Sequence, residues 1–444
     1  NTGADRLPAL LSDADCEVEL AKDHFASFVV RATETIEKAL ATRDSLAMVL
    51  KDYRVKHTDG KSARAHAVEP ELRSTVNLHD KRWCSGRSVT ALDWSPTHHE
   101  LMLAGYSSSS QPMVHDPDGV VLLWTIPHLL DRPEMVFNCQ STVCSAKFAP
   151  FDPTLIVGGT YSGRLVIWDT RAKEEPILRT PLSSTGHTHP VYSLQTIGTQ
   201  NANNLVSCST DGRMCVWRME NLQEPLEVIE LESRKTGTAS TSSQPIAVTN
   251  LSVPIGETNT MFVGSEGGAV FQVNRHGSQK GASESYVGHH GPITGLDFHP
   301  RDGSVDFSDL FLSSATDWSC KLWSSKSSSN SPLWSFEHPD YVSDVGWCPT
   351  NPAVFASIDN TGNLSLWDLN RDTEEPLCTE TLPTPILNRL AWQLNSHHLS
   401  VGDSAGYVHV YDASDFANPH PDEWQQLEKT LASLRTTNVL AANE

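Results

Sequence analysis

One segment of this chain matches the motif of a hydrolytic nucleophile. Gly402, Ser404 and Gly406 fit G-x-S-x-G, in which the serine stands on a strained turn between a strand and a helix. Runs with the composition of strands lie on both sides of this segment, so the strand-to-helix context that the chemistry needs is missing. We therefore interpret Ser404 as a turn residue and predict no catalytic residue in the sequence.

Two pairs of histidines raise the question of a metal site. His187 lies two positions before His189, and His289 is followed directly by His290. Neither pair is accompanied by cysteine or acidic residues at a ligand spacing, and adjacent residues of a strand point to opposite faces. The sequence also contains no G-x-x-x-x-G-K-[ST] phosphate loop. It predicts neither a metal site nor a cofactor.

A repeat accounts for most of the pattern along the chain. A glycine stands five positions before an aromatic residue that ends a short apolar strand, and this arrangement recurs roughly every 50 residues, close to the length of one four-stranded propeller blade. The complete pairs are Gly119/Trp124, Gly163/Trp168, Gly212/Trp217, Gly362/Trp367 and Gly406/Tyr411. Gly268 with Val273 and Trp318 with Trp323 each keep one member. The repeat predicts an all-β fold, a seven-bladed β-propeller.

The repeat also sets the expected boundaries of the propeller. After Tyr411 the apolar residues change to helical spacing, as shown by Trp424, Leu427, Leu431 and Leu434. The last blade therefore lacks an outer strand of its own, and we expect a strand at about Leu72 to Leu78 to close it. This places the propeller at 72–420 and a C-terminal helix and tail at 421–444. The pattern leaves open whether that helix packs on the propeller or on a partner.

An amphipathic helix is expected before the propeller. We predict it at about 19–41, within an N-terminal segment of 1–54 that a polar tether over 55–71 follows. Its apolar residues recur at helical spacing and are Phe25, Phe28, Val29, Ala32, Ile36 and Leu40. A stripe this apolar must be buried on another surface. The pattern allows two such surfaces, the chain's own propeller and the groove of a partner protein.

Composition narrows the class of partner. The 444 residues carry 33 Lys plus Arg against 54 Asp plus Glu, and the formal charge of -21 disfavours nucleic acid and anionic membranes. A basic protein surface fits this charge better. The nine cysteines form no C-x-x-C pair, which indicates reduced thiols in a cytosolic protein. No apolar run is long enough to span a bilayer and the first residue is Asn, so we expect a soluble chain and allow for a missing upstream segment.

Two of the repeats share further residues: a Gly-His dipeptide, Gly186-His187 or Gly288-His289, stands shortly before a predicted strand and is followed by a Ser, a turn Asp and a strand Trp. These two repeats resemble the WD-repeat family closely. In that family a His, a Ser or Thr, a turn Asp and a strand Trp form a hydrogen-bonded network inside the blade, since a buried imidazole and indole need partners for their N–H groups. The resemblance assigns this network to His187, Ser209, Asp211 and Trp217 in one blade and to His289, Ser314, Asp317 and Trp323 in another. It implies a structural role for all eight residues.

Several longer strings in the chain are distinctive: HTHPVY from His187 to Tyr192, VGGTYSG from Val157 to Gly163 and GHHGPITG from Gly288 to Gly295. These strings resemble the cytoplasmic dynein intermediate chain family, and the similarity covers about 19–434. The resemblance implies a non-catalytic scaffold whose propeller docks on the tail of the dynein heavy chain. It implies that Phe25, Phe28, Val29, Ala32, Ile36 and Leu40 bind a Roadblock-type light chain dimer, and that the chain works in the cytoplasm on microtubules.

The chain departs from the full family pattern at its N-terminal side. The coiled coil that meets dynactin, and the short motifs for the other two light-chain classes, are not in these residues, so the resemblance implies those partners only through a region absent here. The alternative function is a WD-repeat adaptor or substrate receptor of another complex, such as a ubiquitin ligase. Pull-down of a heavy-chain tail separates the two.

Overall fold

The computed structural model divides the chain into two compact units, residues 1–69 and 70–444. It describes residues 22, 24–33, 36, 72–111, 116–126, 132–181, 185–233, 244–277, 280–300, 303, 305–327, 330–384 and 386–441. In the first unit, residues 24–33 and 36 are helical, and this helix is named α1. The predicted tether over 55–71 lies outside the described residues.

Seven four-stranded antiparallel sheets form the second unit. Strand β1 is Arg73–Leu78. The first three blades then follow in chain order as β2 to β5 (Val89–Trp94, Leu101–Tyr106, Gly119–Thr125, Met135–Cys139), β6 to β9 (Val143–Phe148, Leu155–Thr160, Leu165–Asp169, Leu178–Arg179) and β10 to β13 (Val191–Thr199, Ala202–Ser209, Arg213–Arg218, Glu227–Glu230). A short two-stranded ribbon, β14 (Glu232–Ser233) with β15 (Gln244–Pro245), separates the third blade from the fourth.

The remaining blades repeat the same arrangement. They are β16 to β19 (Val248–Ser252, Thr260–Ser265, Ala269–Asn274, Gly281–Val287), β20 to β23 (Ile293–Phe298, Leu310–Ala315, Ser319–Ser324, Trp334–Glu337), β24 to β27 (Val342–Trp347, Val354–Asp359, Asn363–Asp368, Cys378–Thr381) and β28 to β30 (Leu387–Trp392, His398–Asp403, Val408–Asp412) with β1. The first strands β2, β6, β10, β16, β20, β24 and β28 contact one another in a closed ring. The predicted seven-bladed propeller is confirmed.

The N-terminal strand closes the ring, as the sequence predicts. Strand β1 pairs antiparallel with β30, from Arg73 opposite Asp412 to Leu78 opposite Val408, and becomes the outer strand of the seventh blade. The two ends of the propeller are thereby joined by main-chain hydrogen bonds, which removes the free edge that an open ring would expose.

Except for Gly119, which begins strand β4, the glycines of the repeat occupy the turn between the second and third strands of their blades. Gly163 and Gly406 have φ of +81° and +90°, a region that is strained for residues with a Cβ atom. A Cβ atom would also lie 2.7 Å from the His187 carbonyl oxygen at Gly163 and 2.5 Å from that of Cys84 at Gly406. These turns, together with the connections between blades, form what we call the upper face of the propeller.

Aromatic side chains of the third strands fill the space between blades. Trp168, Trp217, Trp323 and Trp367 are buried. Trp323 stacks on Phe311 of the same sheet, with ring centroids 6.0 Å apart. Fully burying each such side chain contributes on the order of 2 kcal/mol or more. In these four blades the aromatic residue of the repeat therefore contributes to the packing of the core.

The eight described cysteines are free thiols, seven of them buried. Burial raises the pKa of the Cys144 thiol to about 11, which keeps it protonated. This agrees with the reduced thiols expected from the cysteine spacing, whereas Cys16 lies outside the described residues.

The C-terminal helix α2 (Glu423–Ala441) packs on the propeller. Leu427 and Leu431 belong to the same buried cluster as Phe336 of the fifth blade and Trp367 of the sixth, and Leu434 is also buried. The Asn370 side chain donates a hydrogen bond to the Glu423 carbonyl oxygen (3.1 Å). The sequence leaves open whether the C-terminal helix packs on the propeller or on a partner, and the structure shows that it packs on the propeller.

Among the described helices, none is both long and apolar enough to cross a membrane.

Candidate functional site

The apolar stripe of α1 is exposed. Phe28 and Ile36 expose 58% and 59% of their surface, Phe25 and Val29 are also exposed, and Ala32 is half-buried. The sixth predicted member, Leu40, lies outside the described residues. Val30, at 58% exposed, is a further apolar residue that the stripe does not include because it lies on another side of the helix. The helix therefore presents an uncovered apolar face.

Local interactions define where α1 begins but do not cover its stripe. The amides of Phe25 and Ala26 donate to the Lys22 carbonyl oxygen at 3.0 and 3.2 Å. The hydroxyls of Ser27 and Thr33 donate back to carbonyl oxygens one turn earlier, both at 2.8 Å. Isolated helices shorter than about 12–15 residues are marginal in water, and most of their stability in proteins comes from packing of one face. Burial of this stripe on another surface would supply that packing.

The third blade contains the first predicted hydrogen-bonded network. The His187 Nε2 atom lies 2.7 Å from Ser207 Oγ, and its Nδ1 atom lies 3.2 Å from the Asp211 carboxylate. The Trp217 indole N–H donates to the same Ser207 oxygen at 2.9 Å. Burial acts to raise the pKa of Asp211, but the hydrogen bond and charge of His187, together with hydrogen bonds from the Arg213 and Thr188 amides, outweigh it and hold the pKa below its ordinary value.

The fifth blade repeats this geometry. The His289 Nε2 atom lies 2.7 Å from Ser313 Oγ, its Nδ1 atom lies 2.9 Å from Asp317, and the Trp323 indole donates to Ser313 at 2.8 Å. An ionised carboxylate can only accept, so the His289 proton lies on Nδ1 and the Ser313 hydroxyl donates to Nε2. Burial lowers the pKa of His289, which favours this neutral imidazole.

The serines of these networks differ from the predicted ones. Ser207 and Ser313 join the networks, and the predicted Ser209 and Ser314 do not. Ser314 is adjacent to Ser313 in β21, so its side chain points to the opposite face of the sheet and bonds the Thr294 hydroxyl. Ser209 lies closer to the turn, where its oxygen accepts the Asp211 amide. In both blades the network serine stands four positions before the aspartate.

A third network in the sixth blade was not predicted. The Ser357 hydroxyl lies 2.8 Å from His338 Nε2 and accepts the Trp367 indole N–H at 2.9 Å. Thr361 stands where the other two blades have aspartate, and among the described residues no carboxylate bonds the imidazole. A serine ten positions before the strand tryptophan is the signal that all three blades share. The Gly-His dipeptide that marks the other two blades is Glu-His here.

The Ser, His and Asp of the third and fifth blades are connected as in a serine hydrolase, but they cannot act as one. Both Ser207 and Ser313 are 0% exposed, and each hydroxyl oxygen already accepts an indole N–H. A nucleophilic oxygen must reach a substrate carbonyl carbon. The networks instead satisfy the polar groups of buried rings, which is a structural role.

Ser404 lies in the turn between β29 and β30, as the sequence analysis predicts. The neighbouring Asp403 carboxylate accepts the amides of Ala405 and Tyr407 at 3.0 and 2.7 Å, which holds the turn. No helix follows, so the strained elbow of a hydrolase is not formed.

Among the residues that the structure describes, His, Cys, Asp and Glu form no group of three or more that could hold a metal ion.

The central channel holds acidic residues that sequence reasoning missed. It is a cavity of about 430 Å³ lined by the inner strands. The Asp93 carboxylate accepts the Phe148 amide of the next blade at 2.7 Å, and Asp297 accepts that of Trp347 at 2.8 Å. Burial raises the pKa of Asp93 to about 6 and that of Asp297 to about 7. These carboxyl groups join neighbouring blades around the channel.

Comparison with known proteins agrees with this geometry. Residues 72–205 match a family model described as the dynein axonemal intermediate chain 3 WD40 domain, and residues 282–324 match the WD domain, G-beta repeat. The chain is 42% identical over 431 residues, 96% of its length, to the cytoplasmic dynein 1 intermediate chain of Drosophila melanogaster. It spans 63% of that relative's length. The chain is therefore a seven-bladed β-propeller protein that is similar to a dynein intermediate chain over nearly all of its own length.

Proposed function

We propose that this chain is a non-catalytic intermediate chain of a cytoplasmic dynein motor. Its propeller docks on the tail of the heavy chain, and α1 binds a Roadblock-type light chain. The observation that carries the light-chain part is the exposed stripe that includes Phe25, Phe28, Val29 and Ile36. A helix with such a stripe is suited to an apolar groove, which it enters with residues at helical spacing.

The predicted boundaries give the two functions separate segments. Residues 1–54 carry the light-chain helix, 55–71 act as a tether, 72–420 form the docking propeller, and 421–444 add the helix that packs on it. A tether of this kind lets two intermediate chains on one motor bring their helices to a light chain dimer, and linkage raises the effective concentration of the second helix. The motor would place the chain in the cytoplasm on microtubules, where it supports transport.

Replacing Phe28 and Ile36 with Asp tests the light-chain assignment. Each substitution puts a charge in the centre of the stripe, so co-purification of the Roadblock-type light chain should be lost while the propeller still unfolds cooperatively at the wild-type temperature. The same preparations should retain the heavy-chain tail. Retained light-chain binding in this double variant would contradict the assignment of the α1 stripe as the light-chain-binding surface.

A matched control lies on the same helix. Ser27 and Val30 are exposed residues away from the stripe. Replacing both with Asp adds the same two charges and a similar loss of helix propensity. This variant should bind the light chain as the wild type does. Equal loss in both variants would mean that helix stability, rather than the stripe, controls binding.

A further inference from the structure

Trp318 occupies a turn position at which other blades have glycine. It lies between β21 and β22 with φ of +68°, and glycines at the equivalent position, Gly163, Gly212, Gly268, Gly362 and Gly406, have φ from +77° to +90°. A bulky residue is strained in this region. Burial of the side chain does not offset this backbone strain, since Trp318 is 50% exposed. A strained residue that contributes little to the core indicates a role outside the fold.

Trp318 shares its surface with a second exposed aromatic residue. Tyr341, directly before the inner strand β24 of the next blade, is 49% exposed, and the two rings meet edge to face with centroids 6.3 Å apart. Main-chain hydrogen bonds hold both turns, from the His338 amide to the Trp318 oxygen (2.8 Å) and from the Asn360 amide to the Tyr341 oxygen (3.0 Å). The two rings are thus presented on rigid turns of the upper face.

Acidic residues flank these rings. Glu337 is exposed at the end of β23, opposite Ser319, which follows Trp318. Asp340 precedes Tyr341 and its carboxylate accepts the Tyr341 amide at 2.8 Å. We call Trp318, Tyr341, Glu337 and Asp340 the Trp318 patch. Aromatic faces beside carboxylates match the chemistry of a lysine or arginine side chain, which binds over an indole face and pairs with the negative charge.

The charge of the whole chain favours the same kind of partner. With a formal charge of -21, the chain attracts a basic segment over long range and repels an acidic one. We propose that the Trp318 patch is the point at which the propeller binds a basic segment of the heavy-chain tail. This inference rests on the proposed function and adds the surface and the side-chain chemistry that carry it.

Three variants of the full chain test the inference. Trp318→Gly should weaken binding of a purified heavy-chain tail by at least about 30-fold, as expected for a central tryptophan, without lowering the unfolding temperature. Glu337→Lys should also weaken binding because it reverses the charge beside the ring. Tyr161→Ala removes another exposed aromatic residue, 61% exposed, from a second-to-third-strand turn in the second blade, and should bind like the wild type.

Each outcome decides between distinct conclusions. A wild-type chain that does not bind the tail would overturn both the proposed function and this inference. Trp318→Gly and Glu337→Lys chains that bind as tightly as the wild type would overturn the inference alone. Oxidative footprinting gives a second check: Trp318 should react in the free chain and be protected by the tail. Protection equal to that of the buried Trp323 in the free chain would mean that another segment covers the patch, and would also overturn the inference.

Discussion

Helix α1 and helix α2 carry apolar stripes of the same helical spacing, and the two stripes have different surroundings. In α2, Leu427 is 0% exposed and Leu431 is buried beside it in the core of the fifth and sixth blades. In α1, Phe28 and Ile36 are largely exposed. The difference shows that periodicity predicts which side of a helix needs a cover, and that the cover itself is set by the surface that the rest of the chain offers.

Burial of the α2 stripe therefore stabilises the folded propeller, whereas burial of the α1 stripe would stabilise a complex with a partner. Burial of the α2 stripe contributes to the free energy of unfolding of the propeller, because its leucines are removed from water when the chain folds. The same kind of burial in α1 would contribute to association with a partner, and part of it would be offset by the cost of ordering and immobilising the two molecules. Four expectations sharpen this comparison.

Hydrogen exchange should show the largest difference. In the free chain, the amides of 24–33 should exchange on the order of a thousandfold faster than those of 424–434, because the α2 stripe is buried on the propeller and the described stripe residues of α1 are exposed. Adding the light chain should slow exchange in α1 and leave α2 unchanged. Mass spectrometry of the free chain and the complex measures both. Equal protection of the two helices in the free chain would break the comparison.

A charged residue placed in the buried stripe of α2 should destabilise the propeller strongly. Leu427→Asp leaves a cavity and a buried carboxylate, and we expect a loss of about 4 kcal/mol or more in the free energy of unfolding. Phe28→Asp on α1 is the matched control, with an expected change within about 0.5 kcal/mol. Denaturant unfolding followed by tryptophan fluorescence measures both variants. A similar loss in the two variants would show that α1 also stabilises the fold.

A smaller change at the next turn should have a smaller effect. Leu431→Ala removes buried carbon atoms without adding charge, so we expect a loss of about 2–4 kcal/mol. Val29→Ala on α1 should leave the unfolding midpoint unchanged in the absence of a light chain. Thermal unfolding of the two variants checks this, and a loss below about 1 kcal/mol for Leu431→Ala would mean that the propeller surface closes over the cavity.

The smallest expected effect is a pH dependence at the start of α2. Burial, with a contribution from the nearby Asp368 charge, raises the pKa of Glu423 above its ordinary value of 4.5. The folded state then binds this proton more tightly than the unfolded state, so the contribution of Glu423 to stability is complete below pH 4.5 and is lost as the pH rises through the raised pKa. The Glu423→Gln variant should gain stability relative to the wild type over that range. A difference that does not change with pH would contradict this assignment.

Much of the fold could be predicted because it repeats. The glycine-to-aromatic spacing indicated seven blades, and the loss of strand signals after Tyr411 required a closing strand from the N-terminal side, which β1 provides. The ribbon of β14 and β15 was not predicted, because strands of two residues carry too little pattern. The local signals of a strand need several alternating residues to be recognised.

The candidate site was harder to predict in detail. The stripe of α1 follows from spacing, but Ser209 and Ser314 were assigned to networks that use Ser207 and Ser313. Ser313 and Ser314 are neighbours, so one residue of register exchanges the two faces of the strand, and composition alone does not set that register. Ser207 and Ser209 are two positions apart in β11, and only the structure shows which of them lies level with the imidazole of His187. The network around His338 shows the same limit, since its geometry survives without the aspartate that marks the other two blades.

The sequence by itself determined the number of blades, the strand that closes them, the two helical stripes and the turn role of Ser404. These are periodic or local properties, and each is repeated or bounded clearly enough to be seen in one chain. Only the tertiary structure decided which serine meets each histidine, that α2 is covered by the propeller, and that Trp318 is exposed beside Tyr341. Those outcomes depend on contacts between residues far apart in the chain, where register and packing choose among patterns that are equivalent in sequence.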